Sequence, residues 1–111
     1  MSEKLIKNME HAVPVCLKEL VAYDTGKVAS MTLAQENGVG ITVFAFDAGE
    51  GVSTHAAPGD AMVQILEGEA EITIDGEKHV LKEGEIIIMP RNIPHAVKAV
   101  TRFKMILTVV K

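Results

Sequence analysis

Aromatic side chains are scarce in this 111-residue sequence: there is no tryptophan, and Tyr23, Phe44, Phe46 and Phe103 make up the whole 4%. The core must therefore be aliphatic, drawn from Val, Ile, Leu, Ala and six Met. A platform for stacking bases is missing, and 11 Lys+Arg against 15 Asp+Glu leave a net charge of -4 with no basic cluster. Both features point away from nucleic acid. No apolar run reaches the roughly 18 to 20 residues that span a bilayer, and Met1-Ser2-Glu3-Lys4 opens no apolar signal core, so the chain reads as soluble and cytoplasmic, without a membrane partner. Cysteine is nearly absent too. Cys16 alone makes no intramolecular disulfide, the usual staple of small exported domains, and it reads as a small buried hydrophobe.

What is present suffices for one globular domain: 48% hydrophobic and 23% charged residues. Leu5, Ile6, Met9 and Val13 recur at spacings near 3.6 before Pro14, which predicts a short, loosely docked helix. Residues 1–26 are expected to form a segment that packs on the main body or on a dimer partner, with the main domain in 27–111. After Asp24-Thr25-Gly26, residues 27–33 are strand-like. Following a loop at Gln35-Glu36-Asn37-Gly38, the β-branched and aromatic run 41–46 forms a firm strand that ends in a loop at 47–51. Further short strands are predicted at 62–66, 70–74, 79–81, 86–89, 96–100 and 103–110. Asp75-Gly76 tolerates the positive φ of a tight hairpin turn. Short strands at this spacing, with one weak helical pattern, indicate an all-β fold, an antiparallel sandwich or small barrel.

Alternation assigns faces. Ala70, Ile72 and Ile74 share one side of a strand whose other side carries Glu69, Glu71 and Thr73. Ala61, Val63 and Ile65 oppose Met62, Gln64 and Leu66, while 103–110 is apolar on both sides. So small a body cannot bury both faces of several strands alone, so a homodimer contact or the N-terminal segment is expected to cover the second face.

Two spaced motifs carry the remaining signal. In the first, Gly49, His55 and Gly68 stand in register around Ile65-Leu66-Glu67-Gly68-Glu69. In the second, Gly84, Pro90 and His95 do so, with Asn92 at a position where positive φ is needed and Asn is the best substitute for Gly. With this register the stretch from Gly49 to Ala99 resembles the cupin superfamily, of the small single-domain, RmlC-like kind. That resemblance implies a small antiparallel β-barrel or jelly roll with histidine-bearing strand ends facing one another across its mouth. It also implies a divalent metal held by three His and one Glu or Gln, such as Zn, Ni, Fe, Mn or Cu.

Carried over position by position, the metal ligands of the resemblance fall on His55, Ala57, Ala61 and His95. Two of the four are therefore alanine. Asp60 and Gln64 have the wrong parity to replace position 61. His79 is the candidate third ligand, although a lone His between Lys78 and Val80 more often lies at the surface; His11 reads as solvent-facing. Met89 and Met105 read as core filler. Glu67, Glu69 and Glu71 read as solvated, and Asp60 as a loop-stabilising carboxylate.

Replacing two ligands by alanine enlarges and dries the barrel mouth. The expected site is a small-molecule pocket with His55 and His95 at the rim and Ala57, Ala61, Val63, Ile65, Ile88 and Met89 along its wall. Three functions compete: a dimeric module that binds a small organic molecule; a metalloenzyme of the dioxygenase, isomerase or lyase kind using His55 and His95; and a metal-free isomerase or epimerase in which one imidazole abstracts a proton and the other stabilises the oxyanion. No motif names a substrate, because such a fold hosts many chemistries.

Overall fold

The computed structural model describes residues 4–111. Nine strands are arranged as two antiparallel sheets. They are β1 (Val28–Glu36), β2 (Val39–Phe46), β3 (Gly51–His55), β4 (Asp60–Glu67), β5 (Glu69–Ile74), β6 (Glu77–Lys82), β7 (Ile86–Met89), β8 (His95–Ala99) and β9 (Phe103–Val110). One sheet runs β1-β2-β9-β4-β7 and the other β3-β8-β5-β6. The all-β jelly roll expected from the sequence is present, as two stacked sheets. Two hairpins turn on residues at positive φ, Asn37-Gly38 between β1 and β2 and Asp75-Gly76 between β5 and β6. The sequence pattern predicts no strand over β3. All five of its residues are exposed, so no buried alternation marks it.

Side-chain size grades along the inner face of the five-stranded sheet. Directly opposed residues of antiparallel strands share a face, so the ladders define rows. The first row holds Gly40, Val109, Ala61 and Met89, and the second Thr42, Leu107, Val63 and Ile87. The third holds Phe44, Met105 and Ile65, and the last pairs Phe46 with Phe103. All three phenylalanines thus gather at one end, where Phe46 and Phe103 stack with centroids 4.6 Å apart and neither is exposed. The few aromatics close that end, while glycine and alanine leave the other roomy.

The N-terminal segment covers the outer face of the same sheet. Met9, Leu17, Leu20, Val21 and Tyr23 pack with Leu33, Val43 and Ala45. The predicted helix does not form there, although residues 1–3 lie outside the described range: Asn8 and Ala12 have positive φ, which breaks a right-handed helix, and a single 3₁₀ turn at Leu17–Glu19 is the segment's one helical piece. The apolar spacing instead reflects intermittent docking. Lys7 N donates to Leu33 O and Asn8 Nδ2 to Thr32 O, so the segment saturates the edge of β1 at its bulge, where the register slips between Thr32 and Ala34. Farther along, the Tyr23 hydroxyl donates to Glu67, and the Tyr23 ring lies under Lys104 Nζ at 4.8 Å. Burial and the Glu67 carboxylate both hold the phenol above its ordinary pKa. Glu67 is therefore engaged and not a freely solvated acid. Cys16, expected to be buried, is an exposed free thiol, because the segment passes over the sheet without enclosing its own residues. No helix among the described residues is long and apolar enough to cross a membrane.

Candidate functional site

The roomy end of the sandwich collects the ends of β3 and β7 and the starts of β4 and β8. Two backbone contacts lock the connecting loops together. Asn92 N donates to Ala57 O at 2.7 Å, and Arg91 N donates to Asp60 Oδ1 at 2.8 Å. Asp60 is thus the loop-stabilising carboxylate expected of it. Asn92 sits at φ 63°, the left-handed conformation foreseen at that position, inside a turn closed by Ile93 N to Pro90 O. These constraints deliver His95 to the first position of β8, directly opposite His55 at the last position of β3.

The two imidazoles touch. Their ring centroids are 4.4 Å apart with planes at 72°, an edge-to-face contact. His95 is buried and His55 exposed, so one ring forms the floor and the other the rim. His55 Nδ1 lies 2.9 Å from Ser53 O, and His95 Nδ1 lies 3.2 Å from Ile93 O. A carbonyl only accepts, so in each neutral ring Nδ1 carries the proton and Nε2 the lone pair. Two Nε2 lone pairs are therefore available at one end of the fold.

Burial, and secondarily the neighbouring His55, hold His95 below the usual imidazole pKa. A folded-state value below the unfolded one means that the unfolded chain takes up the proton first. The stabilising contribution of neutral His95 is complete above about pH 6.5 and is lost as pH falls through the lower folded value. The melting temperature should accordingly drop on acidification below about pH 6.5. In His95→Gln that part of the drop should vanish in a thermal-denaturation series across pH; an unchanged profile would refute the assignment.

The other expected site residues divide. Ala57 lines a cavity of about 360 Å³ bounded by Gly40, Thr42, Pro58, Leu107 and Val109. Ala61 and Val63 are inward-facing and buried, and they pack in the core beneath the mouth without lining that cavity. Ile65 and Met89 also belong to this core, as does Met105. Ile88, expected in the wall, faces outward and is 56% exposed, since the inward side of β7 is taken by Ile87 and Met89. His79, on β6, is three strands away from His55 and pairs with Ile72, in another row from His95, which pairs with Ile74. His11 is exposed, with Nε2 2.7 Å from Ile6 O. The sequence reading missed the contribution of Gly40 and Thr42. A glycine inside an otherwise β-branched strand was the available signal.

The donor set does not fit a protein-held metal centre of four ligands. Positions 57 and 61 are alanine, Asp60 is committed to Arg91 N, and among the described residues no group of three or more His, Cys, Asp or Glu side chains is placed to hold an ion. Two adjacent imidazoles with free Nε2 lone pairs are instead suited to accept hydrogen bonds from a small organic molecule.

Stacked antiparallel sheets with paired histidines at the open end define a small jelly-roll protein of the kind the two sequence motifs suggested. The cupin domain model matches residues 42–111, and the chain belongs to the cupin family. It is similar over its full length to a conserved protein of unknown function from Streptococcus pyogenes, at 47% identity and a TM-score of 0.97, covering 97% of that chain. A cupin superfamily protein from Desulfitobacterium hafniense is 36% identical over 95% of this chain and 96% of its own, with a TM-score of 0.90. A cupin 2 conserved barrel domain protein from Leptotrichia buccalis is 41% identical over 85% of this chain and 46% of its own, with a TM-score of 0.83. No curated protein sequence matches.

Proposed function

We propose that this cupin binds a small organic molecule at the open end of the sandwich, as a homodimer acting in the cytoplasm. The observation that carries the reading is the continuity of the segment 55–57: His55 meets His95 with both Nε2 lone pairs free, and two residues later Ala57 borders the cavity. The apolar body of the ligand occupies the cavity and hydroxyl groups at its other end donate to the two Nε2 atoms. Two such hydrogen bonds, at about 1 kcal/mol each, set the expected cost of losing them at roughly tenfold or more in affinity. 3-Methylbutane-1,2-diol, a short branched diol with two O–H donors for the two Nε2 lone pairs, serves as probe in an NMR titration. The His55→Ala/His95→Ala protein should bind it at least about tenfold more weakly. Equal affinity would sink the ligand role of the histidines, and stoichiometric, tightly held metal in untagged protein would contradict the metal-free reading.

The dimer part of the proposal is supported by the outer face of β4 and β7. Met62 lies opposite Ile88 and Gln64 opposite Ile86, and the three apolar residues are 40%, 56% and 53% exposed on one sheet face beyond the reach of the N-terminal segment. Contiguous exposed aliphatics of this kind mark an association surface. Sedimentation analysis should give a dimer for the native protein and a monomer for Ile88→Glu; a native monomer would contradict this part of the proposal.

A further inference from the structure

One glycine in the cavity lining is not demanded by the backbone. Gly40 is the second residue of β2, opposite Gln35 on one side and Val109 on the other. Its backbone is in the ordinary extended range, and a Cβ built there meets nothing within 4 Å. Neither a positive φ nor a crowded neighbour therefore requires glycine. Glycine weakens a strand, and where neither turn nor crowding demands it, it is a place where another group can approach the backbone closely. The row to which Gly40 belongs continues through Val109 to Ala61, so the missing side chain opens space on the inner face.

Two uncharged polar side chains share the face of Gly40. Thr42, half-buried in the next row, and Gln35, facing the same side as Gly40, both line the cavity. Among the described residues neither side chain is engaged by a hydrogen bond within the protein. A hydroxyl and a carboxamide offer donors and acceptors together without a net charge. The walls beside them, Leu107, Val109 and Ala57, are apolar. The charged residues that border the cavity, Glu36 and Lys111, are exposed and of opposite sign.

We infer that Gly40, Thr42 and Gln35 form the specificity end of the binding site, which takes a neutral hydrogen-bonding group, a carboxamide or hydroxyl, on a short branched aliphatic body. This rests on the proposed small-molecule reading and adds the ligand's second end, away from the histidines. Removing the Thr42 hydroxyl leaves the ligand's polar group unpaired in an apolar wall, while filling Gly40 removes the space itself.

The test compares isovaleramide with isovalerate, equal in shape and different in charge, by two-dimensional amide NMR on the native protein and on Gly40→Leu, Gly40→Ala and Thr42→Val. Gly40→Ala fills the space by a single methyl, and Thr42→Val conserves volume, so the test does not depend on the leucine variant folding. The native protein should perturb residues 38–42 and 107–109 more tightly with the amide. Thr42→Val should lose roughly tenfold for the amide alone, and the Gly40 series should weaken both probes with increasing side-chain size. Tighter binding of isovalerate, or an unchanged amide affinity in Thr42→Val, overturns the inference. Binding that survives in Gly40→Leu and is lost in His55→Ala/His95→Ala also overturns it while leaving the broader reading intact. Perturbations unaffected by any of these changes defeat both.

Discussion

Gly68→Ala is expected to abolish folding, or to cost at least about 4 kcal/mol, a loss large enough to name its cause. Gly68 joins β4 to β5 at φ 79°, where an L side chain is strained. An added Cβ would also fall on the Arg102 carbonyl oxygen and lie 2.8 Å from Phe103 Cβ and 2.9 Å from Phe103 Cα. These are backbone and near-backbone atoms of the adjoining strand, which cannot swing aside as a side-chain tip can. Gly49 is the control. It has φ 83°, but its added Cβ meets nothing within 4 Å. Gly49→Ala should therefore cost only the conformational part, on the order of 1 to 3 kcal/mol. Chemical denaturation of the two variants separates the terms, and equal losses would show that the clash is relieved.

Phe103→Ala carries the second large effect. Phe103 is fully buried, stacked on Phe46 and opposite it across β2 and β9. Truncating a buried phenylalanine costs about 3 to 5 kcal/mol through lost transfer energy and the cavity left behind. Against total stabilities of about 5 to 15 kcal/mol this is a large fraction. The denaturation midpoint should fall steeply, whereas a loss below about 1 kcal/mol would mean that the closed end is not the anchor of the fold.

The concentration of bulk at one end explains the composition with which the sequence began. Three of the four aromatics are spent on the third and fourth rows of the inner face, and the first two rows, at the site end, are built from smaller side chains. This gradient was not readable from composition, because it depends on the register of β2, β4 and β9. The strands themselves were legible where one face is dry: Ala61, Val63 and Ile65 alternate with exposed Met62 and Gln64, as burial confirms. The edge strand β3 was not, because none of its residues is buried. Asn92 could be placed at positive φ from its motif, and His55 and His95 were expected to face one another, as their contact bears out. The N-terminal spacing of Leu5, Ile6, Met9 and Val13 misled. Docking onto a sheet can imitate helical periodicity when left-handed residues such as Asn8 and Ala12 turn the chain.

Part of the site escaped a linear reading for a related reason. Gly40 becomes informative only when its neighbours across the ladder are known and open space is found above it. Ala57 was foreseen as a wall residue. Ala61 and Val63 were assigned to the same wall, but they lie in the packed core beneath the mouth, and Ile88 faces the opposite side of the sheet.

The central claim, that the open end between β2, β9 and the segment 55–57 holds a small organic molecule, is tested most directly by intermolecular nuclear Overhauser effects between isovaleramide methyls and the protein. Contacts to Ala57, Leu107 and Val109 are predicted. Contacts confined to Thr54, Thr73 and Ala96, which line the shallow groove on the other sheet, would contradict it.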